Sequence, residues 1–179
     1  MIDFCVLGSG IAGSTIANLL SKKYSVHVFD KARGAGGRSS NKKLKGNLSF
    51  DHGVQYISPK SKVFTKIIQK LSKKKILKTW DGNHLDFTFE KKTLNPKYIG
   101  VKANNALSKY YLKNIKTSFS SQIIKIEHNK YFWEIKLDDN SKHQFKALIL
   151  TCPFPQLKKL AGRYLEKKIS NLKIQMQPN

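Results

Sequence analysis

The feature that most constrains the fold is a glycine pattern near the N-terminus, between two apolar segments. Residues 2–7 read Ile-Asp-Phe-Cys-Val-Leu, and residues 8–13 follow with the spacing Gly-x-Gly-x-x-Gly. An apolar-periodic segment continues to Leu20, and a second apolar run at 25–29 ends directly before Asp30. The order strand, glycine turn, helix, strand, acid predicts a βαβ unit that binds a dinucleotide.

Each glycine of this turn has a separate physical task in such a unit. Gly8 permits a tight turn after the strand, and Gly10 lets the backbone approach a pyrophosphate. Gly13, with Ala17 one turn later, lets the helix pack closely against the sheet. The N-terminus of the helix then offers free N–H groups and the positive end of its dipole to the phosphates.

Asp30 bears on the choice of ligand. It lies 17 residues after Gly13, close to the spacing of an acid that accepts hydrogen bonds from ribose hydroxyls. An acid here favours a free 2′-hydroxyl over a 2′-phosphate. The alternative is a glycine turn that serves packing alone, and the four flanking features together argue against it. The βαβ unit alone does not separate FAD from NAD.

The net charge of +23 raises the question of a nucleic-acid partner. The basic residues are 31 Lys and only 3 Arg, and they are scattered along the whole chain. Base readout and bidentate phosphate contacts favour Arg. Lys, Ile and Asn are abundant together, as in a protein encoded by AT-rich DNA. We therefore expect solvated lysine faces and no specific nucleic-acid partner, with nonspecific polyanion binding at low salt as the alternative.

The length of 179 residues suits one well-packed domain. No apolar run is long enough to span a bilayer, and the N-terminus lacks the pattern of a targeting signal. Cys5 and Cys152 lie in apolar runs without metal-binding spacing, which predicts buried free thiols. These features predict a cytoplasmic protein without a membrane partner.

Downstream of the βαβ unit the patterns alternate between loops and short elements. Residues 39–47 are polar and lysine-rich, which predicts a loop, and residues 48–57 predict a short strand and a turn. Ser58 and the following proline predict the cap of an amphipathic helix at 59–73. The segments predicted beyond it are a turn at 81–83, a strand at 85–89, a helix at 104–114, strands at 122–127, 131–137 and 143–145, a fully buried strand at 147–151 and a short helix at 156–161.

The fold class that follows is α/β. A βαβ unit, intervening material, a β-meander and a returning buried strand form the order of the Rossmann-like FAD-binding fold. A plain NAD-binding domain would instead continue with alternating helices and strands. The architecture thus favours FAD.

Several segments also resemble one known family. Residues 30–38, which end in Gly-Gly-Arg, resemble a signature of the flavin amine oxidase superfamily. Residues 51–57 are similar to the segment that runs along the flavin in its renalase-like branch. Residues 97–100, 105–109 and 150–160 resemble later blocks of that branch, and the matches follow family order.

The resemblance implies a set of FAD-binding residues. They are Gly8, Ser9, Gly10, Ile11, Ala12, Gly13, Asp30, Lys31, Gly37 and Arg38, with Gln55, Tyr56 and Ile57 beside the isoalloxazine and Ile123 against the adenine. The guanidinium of Arg38 can bind pyrophosphate oxygens bidentately. The alternatives are a structural turn at Gly37 and an ordinary strand end at Gln55 and Tyr56.

The chain departs from the family pattern at two places. Lys102-Ala103-Asn104 stands where the renalase-like branch tends to have Pro-Gly-Met. Family members are also longer and carry a C-terminal block that returns to the flavin. We therefore expect residues 1–179 to form a single FAD/NAD(P)-binding domain, with part of an α+β substrate-domain insertion at about 58–100 and without the C-terminal half.

The function implied by the resemblance is FAD-dependent oxidation, with hydride transfer from an amine or a reduced nicotinamide to the flavin and then to O2. The sequence suggests no catalytic residue and no metal site, and we expect the five histidines to be structural or solvent-facing. Only His52 lies in a motif that passes near the flavin. The main alternative is a non-catalytic or truncated FAD-binding module with a separately encoded C-terminal half, and a basic polyanion binder is the remote one.

Overall fold

The architecture is α/β, in a computed structural model that describes residues 1–46, 48–82 and 96–174. The strands are β1 (Ile2–Leu7), β2 (Val26–Phe29), β3 (Asn41–Lys43), β4 (Ser49–Asp51), β5 (Leu77–Thr79), β6 (Tyr98–Gly100), β7 (Lys116–Ser118), β8 (Ile123–His128), β9 (Trp133–Leu137) and β10 (Lys142–Leu150). The helices are α1 (Ile11–Leu20), α2 (Lys62–Lys73), α3 (Ala106–Leu112), α4 (Phe154–Ala161) and α5 (Lys167–Ser170), with 3₁₀ turns at Gly37–Ser39 and Gly162–Tyr164.

The central sheet has the strand order β7-β2-β1-β10-β9-β8. Its first four strands are parallel, and β8, β9 and the start of β10 form an antiparallel meander. The carboxyl ends of β1, β2 and β10 therefore meet at one edge of the sheet, where ligands bind in open α/β folds.

Both faces of the parallel strands are covered, as their apolar sequences require. On one face Val6 and Val28 pack with Ala17 of α1. On the other face Cys5 and Phe29 pack with the meander and α4. A third cluster joins α2, β5 and α3 around Ile57, Ile68, Leu71, Leu77 and Leu107.

Most predicted elements are confirmed, among them the βαβ unit, the meander, the returning strand and the helices after residues 104 and 153. The turn predicted at 81–83 extends beyond the described residues, and the strand predicted at 85–89 lies outside them. The strand β7 was missed, because its three residues carry no alternating pattern. It is held by parallel pairing with β2, which is a long-range contact.

The predicted start of α2 was wrong. The helix begins at Lys62 and not at residue 59, because the side chain of Ser61 accepts a hydrogen bond from the Phe64 N–H (3.2 Å) and serves as the cap. Upstream of it, Ile57 pairs with Tyr98 in extended conformation. That pairing draws the chain away from a helix at Ser58.

The predicted loop at 39–47 was wrong in part, because Asn41–Lys43 forms β3 and pairs with β4 in an antiparallel hairpin. The sequence of this strand has no alternating apolar pattern, because its three residues are polar, one half-buried and two exposed. A similar error concerns the segments predicted at 143–145 and 147–151. They form one continuous strand, β10, of nine residues.

The expected full burial of residues 147–151 was also wrong. Residues 147–151 are only half-buried, because the pairing of β10 with β9 ends at the Phe145–Trp133 pair. The Thr151 N–H donates to Leu7 O (3.0 Å). Since strand residues alternate in direction, the backbone groups of Leu148 and Leu150 point away from β1. No described strand pairs with them there.

Two further expectations concern the thiols and the membrane. Both cysteines are free, and Cys5 is buried, but Cys152 is only half-buried because it lies just beyond the end of β10. Burial raises the pKa of both thiols. Within the described ranges, none of the helices has the length and apolar character needed to cross a membrane.

Candidate nucleotide-binding site

The turn at residues 8–13 is fixed by two glycines that the fold itself requires. Gly8 has a φ of 103° and donates its N–H to Phe29 O (2.8 Å). A Cβ at Gly13 would overlap the carbonyl oxygen of Gly8 and approach Thr151 Oγ1 to 2.9 Å. These two positions are therefore glycine because the strand, the turn and the helix pack closely there.

Gly10 has no such internal reason. Its φ is −67°, and the nearest atom to a Cβ built there is the Gly37 Cα at 3.7 Å, an ordinary contact. Gly10 is the N-cap of α1, which has no side-chain cap and no acid in its first turn. The first N–H groups of a helix have no partner within the helix. The turn therefore fits an anionic group at close range, as a pyrophosphate would be.

Asp30 is held in a defined orientation at the carboxyl end of β2. Its Oδ2 accepts hydrogen bonds from Ser9 N (2.7 Å) and Ser9 Oγ (2.5 Å), and its Oδ1 accepts from Ala32 N (2.8 Å). Ser9 is fully buried. The carboxylate thus lies directly beside the glycine turn, where an acid that accepts from a ribose must lie.

The Gly-Gly-Arg segment lies against the glycine turn. Gly36 N donates to Ser9 O (3.1 Å), and a Cβ at Gly37 would lie 3.0 Å from the Gly10 Cα. Gly36 and Gly37 have φ values of 139° and 53°. The backbone conformation and the close contacts are therefore sufficient to require glycine at Gly36 and Gly37 even without a ligand. Arg38 is exposed, and no described residue pairs with its guanidinium, which leaves it available to an anion.

The segment at 51–57 is tied to the same turn. Val54 N donates to Arg38 O (2.9 Å), and a Cβ at Gly53 would overlap that oxygen. Gln55 and Tyr56 are exposed. The side chain of Ile57, in contrast, is 8% exposed and belongs to a core cluster against which Ile11 also packs.

The remaining predicted residues lie around Asp30. Lys31 and Ala12 are exposed. Ile123 is buried in the cluster beneath the meander that also contains Phe29. Two residues before it, Ser121 N donates to Asp30 O (3.0 Å). The structure thus brings the glycine turn, Asp30, the Gly-Gly-Arg segment and residues 51–57 together, and Ser121 joins the start of β8 to Asp30. Ile57 and Ile123 are held in the core.

Several residues that shape this end of the sheet were missed. Thr151 Oγ1 donates to Leu7 O (2.8 Å) and fills the space behind the glycine turn. Residues 118–121 donate two backbone hydrogen bonds to the Asp30–Ala32 segment. Asn104, in the segment that departs from the family pattern, is 1% exposed and contacts the 51–57 segment. An isolated buried asparagine gives no periodic signal, so only the folded contacts reveal it.

The histidines do not form a catalytic group among the described residues. His27 is 3% exposed and its Nε2 lies 2.8 Å from Ser118 Oγ. Burial, with Lys116 and His143 nearby, lowers the pKa of His27 to about 4. His52 is exposed, with Nε2 3.1 Å from Ser40 Oγ. In the described ranges, no three His, Cys, Asp or Glu side chains gather as a metal site would require.

Comparison with known proteins agrees with this geometry. Residues 6–71 match the family of NAD(P)-binding Rossmann-like domains. Mouse renalase is 29% identical over 168 residues, which covers 88% of this chain and 48% of renalase. The resemblance to renalase-like proteins is confirmed.

Solved structures of putrescine oxidase share the fold. The wild-type enzyme bound to putrescine superposes with a TM-score of 0.65 at 12% identity, over 89% of this chain and 60% of that one. A triple mutant from a redesign of cofactor binding gives a TM-score of 0.72 at 10% identity, over 95% and 62%. The predicted fold class is thus confirmed. The chain spans about half the length of renalase and about three fifths of putrescine oxidase.

Proposed function

We propose that this chain is the FAD-binding part of an oxidoreductase of the amine oxidase and renalase-like type. The observation that carries the proposal is Gly10, which no internal contact requires to be glycine, at an uncapped helix N-terminus beside an oriented acid. NAD(P)-binding Rossmann-like similarity and the likeness to renalase support the same class of protein.

The proposal gives each part of the site a task. The N–H groups of residues 10–13 and the guanidinium of Arg38 would bind the pyrophosphate. Asp30 would accept from the ribose of the adenosine, and Lys31 would lie at the mouth of that pocket. Gln55 and Tyr56, being exposed beside the turn, would face the isoalloxazine.

The remaining site residues belong to the same proposal. Ile57 would lie along the isoalloxazine and Ile123 against the adenine, both as parts of the wall. We assign the segment at about 58–100 to a substrate-domain insertion, within a single FAD-binding domain.

The chemistry that FAD supplies when bound is acceptance of a hydride from a donor and transfer of the electrons to O2. An amine donor is supported by the putrescine bound to a protein of the same fold. A reduced nicotinamide is the other donor class. The protein's own residues would orient the cofactor and exclude water from it.

The experiment is a visible absorption spectrum of the purified chain after incubation with excess FAD and gel filtration. We expect flavin bands that coelute with the protein, and their loss in an Asp30→Ala variant. Protein without flavin bands after such treatment would overturn the proposal.

A second candidate is a non-catalytic or truncated FAD-binding module that needs a separately encoded C-terminal half. It is favoured by the outer edge of β10 at Leu148 and Leu150, with which no described strand pairs. Anaerobic addition of an amine or of reduced nicotinamide to the FAD-loaded chain separates the two candidates. Bleaching of the flavin favours the enzyme, and retained colour with bound FAD favours the module.

A further inference from the structure

Asn104 is the buried side chain that shapes the 54–57 segment. Its side chain is 1% exposed, and Nδ2 donates to two consecutive carbonyl oxygens, Val54 O (2.7 Å) and Gln55 O (3.0 Å). Its Oδ1 accepts from Gly100 N (3.0 Å). All the hydrogen-bonding atoms of this side chain are therefore used.

The backbone of the same residue holds the other end of the segment. Asn104 N donates to both carboxylate oxygens of Asp51, each at 3.1 Å. The same carboxylate accepts from Asn41 Nδ2 (3.2 Å), which ties it to the β3–β4 hairpin. Asn104 thus joins the start of the segment, at Asp51, to its bend at Val54 and Gln55.

The geometry of these bonds explains why the segment turns outward at residues 55 and 56. Two consecutive carbonyl groups can approach one amide nitrogen only if the backbone bends between them, since consecutive carbonyls of a strand point in opposite directions. Directly afterwards Ile57 returns to extended pairing with Tyr98. Gln55 and Tyr56 form the exposed part of this bend.

We propose that Asn104 is a positioning residue for the flavin ring, because it fixes the bend that presents Gln55 and Tyr56. This inference rests on the proposed FAD site. The site then has two parts, one for the ADP moiety and one for the flavin ring, and different residues hold each part in place. The glycine turn and Asp30 would hold the ADP moiety without help from Asn104, whereas Asn104 fixes the backbone of the residues that would contact the flavin ring. The ring of Tyr56 itself also packs against Trp80 (5.7 Å between centroids) and lies under Lys97 Nζ (4.4 Å).

The test compares the affinities for FAD and for ADP in wild type, Asn104→Ala and Asn104→Leu. Asn104→Leu retains the approximate size of the side chain but removes the donor to the two carbonyls and the acceptor for Gly100 N. We expect both variants to bind FAD about tenfold more weakly, as for the loss of an aromatic contact of about 1.4 kcal/mol. Their affinity for ADP should stay within about twofold of wild type.

Ser108→Ala is the matched control. Ser108 is fully buried on α3, four residues further along the chain, and its Oγ has no hydrogen-bond partner among the described residues. This variant should bind FAD and ADP as wild type does. Equal weakening of FAD and ADP in the Asn104 variants, or no weakening of either, would overturn the inference while the FAD site itself stands.

A measurement without ligand completes the test. Amide hydrogen exchange of the ligand-free chain should become faster at residues 53–57 in Asn104→Ala and stay unchanged at residues 8–13. Unchanged exchange at 53–57 contradicts the positioning role. If wild type binds neither FAD nor ADP, the proposed function fails, and that result is distinct from a selective failure of the Asn104 variants.

Discussion

Gly10 and Gly13 lie in one turn but are glycine for different physical reasons. The fold excludes a side chain at Gly13, because a Cβ there would overlap Gly8 O. At Gly10 a Cβ would make only ordinary contacts, so we propose that the ligand requires that glycine. The two positions therefore separate a structural requirement from a binding requirement.

We expect Gly13→Ala to lower the free energy of unfolding by more than about 2 kcal/mol, as overpacking does. Gly10→Ala should leave it within about 0.5 kcal/mol of wild type and weaken FAD binding at least about tenfold. Thermal unfolding and FAD titration measure the two effects. Gly162→Ala is the control, because this glycine has a helical φ of −53° and only one atom near a built Cβ, at 3.8 Å. A Gly10→Ala variant that binds FAD normally would remove the main support of the proposal.

The lowered pKa of His27 should make the stability of the protein depend on pH. Its pKa is lowered from 6.5 to about 4, mainly by burial, with contributions from Lys116 on β7 and His143 on β10. Because the unfolded chain binds the proton more readily, stability should fall as the pH drops from 6.5 towards 4, by at most about 3 kcal/mol. Denaturant unfolding at several pH values measures this.

The matched variants are His27→Phe and His128→Gln. His27→Phe places an apolar ring beside Phe29 and Phe145, with which His27 already makes ring contacts, and should reduce the loss of stability between pH 6.5 and pH 4. His128→Gln changes an exposed histidine and should retain the loss. An unaltered pH profile in His27→Phe would show that another group is responsible.

Among the secondary-structure elements, α2 has its cap at Ser61 in the structure, whereas the sequence pattern predicted the cap at Ser58. Ser61→Ala should destabilise the protein by about 1 kcal/mol, because its side chain accepts the Phe64 N–H. Ser58→Ala, at the cap that the pattern predicted, should change stability by less than about 0.5 kcal/mol. Thermal unfolding of both variants measures the two effects. A larger destabilisation by Ser58→Ala than by Ser61→Ala would place the helix start at residue 59.

The two outer edges of the meander and of β10 also differ. The β8 edge is covered, since Arg163 donates to Ile126 O (2.8 Å) and His128 N donates to the hydroxyl of Tyr164 (3.0 Å). Beyond Phe145 no described strand covers the outer edge of β10. Sheet edges of soluble proteins are normally protected, so this edge is the part of the described sheet that a further strand can pair with.

The elements that could be predicted are those whose signal is local. The βαβ unit, the meander and the returning strand have a clear pattern of apolar residues and glycines in sequence. The strands β3 and β7 have no such pattern and depend on partners distant in the chain. The site followed the same rule, because Gly10 and Asp30 belong to a local motif whereas Asn104 acts through contacts about 50 residues away.

At the scale of the whole molecule, the net charge of +23 complicates any binding measurement. Lysine-rich surfaces attract phosphate compounds without a specific site, and this attraction falls steeply with salt. Partly exposed acids such as Glu127 and Glu134 pair with lysines and have lowered pKa values for that reason. A specific FAD site must therefore be distinguished from general attraction of anions.

An equilibrium titration of the chain with FAD at about 200 mM salt, where lysine-driven binding is weak, tests whether the glycine turn binds FAD specifically. We expect saturable binding of one FAD per chain, displacement by ADP, and at least about tenfold weaker binding in Gly10→Ala and Asp30→Ala. Binding that vanishes at this salt concentration, or that is unchanged in both variants, would contradict an FAD site at the glycine turn.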